Sequence, residues 1–312
     1  MLDVRRLRLL RELARRGTIA AVAEALSFSP SAVSQQLSVL EREAGLALLE
    51  RTGRRVRLTP AGQRLVGHAE AVLERLERAE ADLAEARGGL AGALRVGAFP
   101  TATRALVPAA LVALARRHPA LEAMVRETDP AAVAHALRAG DLDVALVHEY
   151  DFVPGPAEPG LDSEPLYREA MYLAEPAPES VPVPPAAPAA DQGAVLRAHR
   201  DAPWITATSG TLCHAMTVRA CQAAGFTPRE RHRVDEFATV LALVAAGQGV
   251  AVVPQLGVPV RSGVPGVPGV LLTRLPMERR TNIAFRSGSA AHPAVAAFTV
   301  ALREALPPEL VP

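Results

Sequence analysis

Ser31, Ser34, Gln35, Ser38 and Arg42 recur at three- and four-residue spacing on one side of a predicted helix. A solvated helix side is normally built from long-stemmed Glu, Lys and Arg. Short hydroxyls and an amide beside one arginine suit hydrogen bonds to base edges and phosphates in the major groove of duplex DNA. The opposite stripe, Val33, Leu37, Leu40 and Ala44, fixes which side can be buried. Ser29 is placed to cap this helix, and Pro30 takes its first position, where a missing N–H costs nothing. The helix end then offers its own N–H groups to phosphate.

A second constellation follows at once. Between Leu49 and Pro60, Gly53 marks a tight turn and Val56 and Leu58 alternate with Arg55 and Arg57. A hairpin tipped by Arg54 and Arg55 can lay guanidinium groups along phosphates or into a minor groove. The charge distribution agrees. Residues 1–68 hold 12 arginines against six acids, a net +6, which leaves 22 against 27, a net −5, for the remainder. A basic head on an acidic body points to a polyanion at the head alone.

The elements that must hold these residues are three short helices and a hairpin. Leu7, Leu10, Leu13 and Ala14 form the apolar face of the first helix, which Gly17 ends. Thr18 is placed to cap a second helix, Ile19 to Leu26, and Ser27–Phe28–Ser29 forms the turn into the third. Two helices joined by a three-residue turn make a helix-turn-helix. From Pro60 to Arg87 a long helix is expected. Leu65, Ala69, Val72, Leu76, Ala79 and Leu83 step by four and three in a heptad seam flanked by charges. So narrow a stripe needs a partner helix, and a two-fold dimer would duplicate the reading head. Gly88–Gly89–Leu90–Ala91–Gly92 reads as a hinge.

From Ala93 onward strands alternate with helices, which predicts an α/β body with a largely parallel sheet. Helices are expected over 103–118, 130–139, 213–224, 237–246 and 293–306, and strands over 93–99, 121–127, 143–148, 166–174, 204–207, 231–235, 250–253 and 280–286. The proline-rich run from Pro176 to Pro188 is expected to be an extended surface connection. In such folds a ligand sits beyond strand ends against helix starts. Two places fit: Phe99–Pro100–Thr101–Ala102–Thr103 and Thr208–Ser209–Gly210–Thr211. Both offer hydroxyls and N–H groups where helix dipoles favour a negative group, so a small carboxylate or other weak acid is the expected ligand. Arg104, His148, Glu149 and Phe237 are the expected rim, and plain capping is the competing reading for the Ser and Thr residues.

Other chemistries are poorly represented. There is no Gly-rich dinucleotide loop, Walker sequence, nucleophile elbow or metal-spaced His pair, so no catalytic residue, metal or cofactor is expected. Two cysteines, Cys213 and Cys221, exclude a disulfide framework. At eight residues apart on one predicted helix they are separated by about 12 Å of rise, beyond the reach of a bridge. No apolar run approaches a membrane span. The first residues lack a secretory core, so a cytoplasmic location is expected.

Three segments resemble the LysR-type transcriptional regulators: Ser29-Pro30-Ser31-Ala32-Val33-Ser34-Gln35-Gln36-Leu37, the Leu40-Glu41 that follows, and Leu58-Thr59-Pro60-Ala61-Gly62. The resemblance implies a winged helix-turn-helix at 1–59 with base-facing positions at Pro30, Ser31, Ser34, Gln35 and Ser38 and a wing at Arg54 and Arg55. It implies a dimerising linker helix at 60–87, a hinge at 88–92 and an effector domain at 93–312. Two stretches, 137–147 and 244–254, carry the weaker likeness to that domain. It is similar to periplasmic solute receptors, two α/β lobes around a cleft, here 93–165 with 270–312 and 166–269. Many members carry arginine where this chain has Gln35, and phenylalanine where it has Leu49. The implied partners are an operator duplex, a small effector, further copies as a dimer or dimer of dimers, and RNA polymerase. Some members sense peroxide through two cysteines in the second lobe; two buried small hydrophobes are the plainer reading of Cys213 and Cys221. Two other readings remain open: an enzyme acting on a small acid beside a DNA-tethering head, and a DNA-binding protein with no ligand.

Overall fold

The computed structural model describes residues 1–26, 28–52, 55–86, 90–155, 158–177, 187–188, 191–261, 264–265 and 267–310. The expected wing tip at Gly53 and Arg54, Ser27, hinge residues Gly88 and Gly89, and most of the proline-rich run lie outside them.

The head is α1 (Val4–Arg16), α2 (Ile19–Ala25), α3 (Pro30–Ala44) and an antiparallel hairpin, β1 (Leu49–Thr52) and β2 (Arg55–Leu58). Each helix start is satisfied locally. Asp3 accepts from the N–H groups of Arg5 and Arg6, Thr18 from Ala21, and Ser29 from Ala32. Leu10, Leu13, Val22, Val33, Leu37, Leu40 and Leu48 form its core. Glu41 turns inward, its Oε1 accepting from the N–H groups of Leu48 at 2.9 Å and Leu49 at 3.0 Å, which ties the hairpin to α3. Gly62 is required where the chain leaves the hairpin, because a Cβ there would stand 2.3 Å from the Leu48 carbonyl oxygen.

α4 (Pro60–Ala86) starts inside this head. Leu65 and Ala69 pack on the head core, and Ala69 is fully buried. That corrects the expected seam: Ala69 spends its surface on its own chain and has none for a partner helix. Past it, Val72, Leu76 and Leu83 stand 40%, 42% and 60% exposed, and Ala79 is exposed too.

The body contains β3 (Gly92–Ala98), α5 (Pro100–Ala105), α6 (Val107–Arg117), β4 (Leu121–Glu127), α7 (Pro130–Ala139), β5 (Val144–Tyr150) and β6 (Leu161–Pro176). Then come β7 (Ala187–Pro188), α8 (Gln192–Ala198), β8 (Pro203–Thr206), α9 (Leu212–Ala223), β9 (Arg229–Arg233), α10 (Phe237–Ala245), β10 (Ala251–Pro254), β11 (Val260–Arg261), β12 (Val264–Pro265), β13 (Val270–Arg286) and α11 (Pro293–Glu304). The expected single helix over 103–118 is broken at Leu106 into α5 and α6. Pro108, in the first turn of α6, cannot donate a helical hydrogen bond, and its ring crowds the carbonyl four residues back.

The main sheet runs β10-β6-β13-β5-β3-β4, with β7 on β13. Only β5–β3 and β3–β4 are parallel along that path; β10–β6, β6–β13 and β13–β5 are antiparallel. The expectation of a largely parallel sheet therefore fails. It fails because β6 and β13 are far longer than the apolar runs that announced them, and β13 returns against both β5 and β6. These two strands pass through both halves of the body, with a register break between Leu275 and Glu278. α6 and α11 cover one sheet face around Leu114, Phe285 and Phe298. α7 covers the other through Val133 and Leu137. The second half packs around Trp204, Met216, Leu173 and Leu241.

Head and body touch. Arg16 Nη2 lies 2.8 Å from His135 Nδ1 on α7, and Arg286 Nε donates to Glu77 Oε1 at 2.7 Å. No helix among the described residues is long and apolar enough to cross a membrane.

Candidate functional site

On α3 the buried side is Val33, Leu37 and Leu40, each no more than 1% exposed. This leaves Pro30, Ser31, Gln35, Ser38 and Arg42 exposed and Ser34 half-buried on the other side. Ser29 sits at the helix start, its Oγ 3.0 Å from that of Ser31. Arg42 makes no ion pair among the described residues; of the two acids beside it, Glu41 is held inward by the hairpin and Glu43 pairs with Arg6. The outward side is thus neutral donors and acceptors plus one unopposed cation. Arg55 lies in β2, paired with Thr52 through the backbone. Arg57, which the sequence placed in the alternating run but not at the wing tip, is exposed on the same strand.

In the body, Thr101 is buried and its Oγ1 accepts from Arg279 Nη2 at 2.8 Å. Arg279 is the centre that sequence reasoning missed. Its Nε donates to Glu169 Oε1 at 2.7 Å; the two side chains are 1% and 0% exposed. Its guanidinium lies 4.9 Å from the centre of the Phe99 ring. Burial alone would lower its pKa, but the charge of Glu169 outweighs this and holds it above the usual arginine value.

The register of β13 shows how the group is assembled. Arg279 lies between Glu169 and Tyr150, and Thr281 between Tyr167 and His148. Residues two apart on a strand share a face, so these six side chains form two adjacent rows. His148 is buried edge-on to Phe99 at 4.6 Å and to Tyr150 at 5.2 Å. Burial, then the charge of Arg279, pushes its pKa well below 6.5, so it is neutral. His148 Nδ1, Tyr167 OH and Thr281 Oγ1 are all buried and find no partner among the described residues. A groove of about 730 Å³ opens beside the rows, lined by Ala131 and Ala134 of α7, Val147, His148, Glu149, Asn282 and Leu212.

The other expected residues distribute unevenly. Ala102 is fully buried in the body core, where α5 packs on the sheet, so it can offer a ligand only its backbone. Thr103 Oγ1 donates to the Phe99 carbonyl at 3.1 Å. Thr211 caps α9, accepting from the His214 N–H and donating to the Thr208 carbonyl. Ser209 and Gly210 are exposed on that turn, which Asp235 holds by accepting from both N–H and Oγ1 of Thr208. Burial raises the Glu149 pKa, but the Gly155 N–H and then Arg280 bring it below the usual value. Phe237 is half-buried in the core of the second half. Arg104 reaches from α5 to the Leu256 carbonyl at 2.7 Å and stands 3.8 Å from Glu236.

Tyr150 OH lies 2.8 Å from Cys213 Sγ. Burial pushes the Cys213 thiol up and that of Cys221 up to about 12. Among the described residues no group of three His, Cys, Asp or Glu side chains gathers to hold a metal ion.

Comparison with known proteins agrees with this anatomy. Residues 4–63 match the bacterial regulatory helix-turn-helix of the lysR family, and residues 87–307 match the LysR substrate binding domain. A probable hydrogen peroxide-inducible genes activator of Mycobacterium avium is 32% identical over 281 residues, covering 89% of this chain and 86% of the relative. The transcriptional dual regulator GltC of Bacillus subtilis is 27% identical, covering 81% of each. Among solved structures, a hydrogen-peroxide-bound OxyR mutant of Corynebacterium glutamicum superposes with a TM-score of 0.58 at 27% identity, over 98% of this chain and 92% of that one. CbnR in complex with its target DNA shares the fold, with a TM-score of 0.53 at 24% identity, over 98% of this chain and all of the other. These relatives regulate transcription rather than catalyse reactions. The chain belongs to the LysR family of DNA-binding transcriptional regulators, with an effector-binding domain behind its helix-turn-helix.

Proposed function

We propose that the outward side of α3 reads an operator in the major groove through Pro30, Ser31, Ser34, Gln35, Ser38 and Arg42, while Ser29 fixes the helix start. Arg54 and Arg55 act as the wing on phosphates. Residues 1–59 form this reading unit, 60–87 the linker, 88–92 the hinge, and 93–312 the effector body. The single observation that carries the reading is an exposed side of short donors and acceptors, with one unpaired arginine, on a helix rigidly capped and packed behind. Val72, Leu76, Ala79 and Leu83 are the exposed remainder of the heptad seam, and we assign them, with the outer edge of Leu65, to a second copy of α4. A dimer of dimers follows from the family. The protein works in the cytoplasm beside RNA polymerase.

The effector is small and polar. We assign its contacts to Thr101, Ala102 (through its backbone), Thr103, His148 and Glu149 of the first half and to Ser209, Gly210, Thr211 and Phe237 of the second. Arg279 is committed to Glu169, and Arg280 to Glu149 and Asp151. Arg104, whose nearest carboxylate is only loosely placed, is the cation left for an anionic end. His148, Tyr167 and Thr281 offer unpaired hydrogen-bonding atoms to the rest. The peroxide-responsive relatives raise thiol oxidation as another trigger. The raised Cys213 thiol speaks against it, because the thiolate is the nucleophile.

The test is footprinting of the full chain on DNA flanking its own gene, with and without small carboxylic acids. A pseudo-palindromic protected site whose extent or affinity changes with one acid supports the reading. A footprint indifferent to sequence removes it.

A further inference from the structure

Where the head, α4 and the body meet lies a partly open cavity of about 160 Å³. Arg8 and Arg11 of α1 wall it on one side, Arg138 and Arg286 on the other, and Glu70, Glu74 and Glu77 of α4 along the third. The acids are already engaged. Glu70 pairs with Arg15 at 2.8 Å, Glu77 with Arg286 at 2.7 Å, and Glu74 with Arg78. Among the cations, Arg286 is taken by Glu77, and Arg138 pairs through Nη2 with Glu158 at 2.5 Å and the Pro159 carbonyl at 3.1 Å, which leaves its Nε free; Arg8 and Arg11 are matched less well. Glu12 is the only carboxylate on Arg11 among the described residues, at 3.2 Å, and it also serves Arg15 and Arg16. Arg8 makes no ion pair among the described residues. Arg11 and Arg138 are each more than nine-tenths buried, and the Nε atoms of Arg8, Arg11 and Arg138 are buried without an acceptor. Burial first, and then the neighbouring charges of Arg15 and Arg8 against the pull of Glu12, brings Arg11 down to about 10.

Buried N–H groups on cations are normally satisfied, and guanidinium groups converging from separate elements match the oxygens of a tetrahedral oxyanion. The space equals that of about five waters at roughly 30 Å³ each, enough for such an ion and part of its hydration shell. We propose that this cavity binds a small tetrahedral oxyanion, inorganic phosphate or the phosphate end of a metabolite, held between Arg8 and Arg11 of the head and Arg138 of the body. The bound anion ties the head to the body, reinforcing the Arg16–His135 contact beside it, so head placement responds to a second ligand apart from the effector cleft. Ligand that binds only the docked arrangement must favour it by mass action.

The experiment uses the full chain with inorganic phosphate, set against chloride at matched ionic strength, reading the melting temperature and amide exchange along α1 and over Glu70–Glu77. The expected result is a saturable rise in melting temperature and slower exchange with phosphate, neither being seen with chloride. Arg8→Gln and Arg138→Gln should each weaken the apparent affinity roughly tenfold or more, the loss of one charge-assisted contact. Arg116→Gln, on the exposed side of α6, should respond like the parent. Should Arg138→Gln fail to fold, Arg8→Gln decides alone. Phosphate acting no differently from chloride, or both cavity variants responding like the parent, overturns the proposal. A response lost equally in Arg116→Gln also overturns it, since that marks general surface screening.

Discussion

Replacing Glu169 with Gln keeps the shape of the side chain and removes one charge from the most enclosed ion pair among the described residues. Arg279 and Glu169 are 1% and 0% exposed, so the guanidinium left behind has no water to turn to. Removing one partner of such a pair costs about 3–5 kcal/mol, a large share of the ~5–15 kcal/mol that holds a domain folded. Thr101 and the Phe99 ring still contact Arg279, but neither carries a compensating charge. Trp204, the sole tryptophan and fully buried, reports unfolding in urea without any added probe. The double variant Glu169→Leu with Arg279→Met removes both charges and should recover most of the loss, to within about 1–2 kcal/mol of the parent. Part of that residue is the Leu256 N–H, which donates to Glu169 at 2.7 Å and would lose its acceptor. A cost below about 1 kcal/mol for Glu169→Gln would refute the reasoning, as would a double variant no better than the sum of its singles.

The neutral His148 makes stability pH-dependent. Its folded pKa lies well below 6.5, so the unfolded chain takes up a proton that the folded one refuses. Its contribution is complete above about pH 6.5 and is lost below it at about 1.4 kcal/mol per pH unit. His148→Phe should remove that one-proton slope from urea midpoints measured between about pH 5 and 7; an unchanged slope assigns it to other groups. Leu76→Lys combined with Leu83→Lys should dissociate the dimer in sedimentation, each leucine forfeiting up to about 1.5–3 kcal/mol per copy. An unchanged mass would move the interface off α4. Cys221, shifted from 9.0 to about 12, should carry roughly a thousandfold less thiolate near neutral pH than its ordinary value gives. Iodoacetamide should therefore modify the native protein slowly at both thiols and the urea-unfolded chain readily. Rapid native modification of Cys213 would restore a thiol-based trigger.

The head was legible because its signals are local. Thr18 and Ser29 each cap a helix within three residues of themselves, and Gly17 ends the first helix in a left-handed conformation. The buried stripe of α3 falls on the residues whose spacing announced it. The Arg279 group was not legible for the opposite reason. Arg279 and Glu169 are 110 residues apart and meet only because β6 and β13 pair along their length. The apolar runs at 166–174 and 280–286 gave only fragments of those strands, and the second began one residue after Arg279 itself. Capping at Thr211 and the i−4 bond of Thr103 show why hydroxyls at helix starts read ambiguously: the same oxygen serves a ligand or its own backbone. Ala69 shows a related limit. A heptad seam names a stripe, but whether its first turns face a partner or their own domain depends on where the helix starts.

The most direct test is whether α3 discriminates sequence. Fluorescence anisotropy should compare the footprinted duplex with a random duplex of equal length at fixed salt, for the parent and for Gln35→Ala. The parent should prefer its site by about a thousandfold or more, and Gln35→Ala should lose about 1–3 kcal/mol at one base position while keeping its general affinity. Equal affinity of the parent for both duplexes, or a variant with an unaltered preference, would contradict a reading face built on Ser31, Ser34, Gln35 and Ser38.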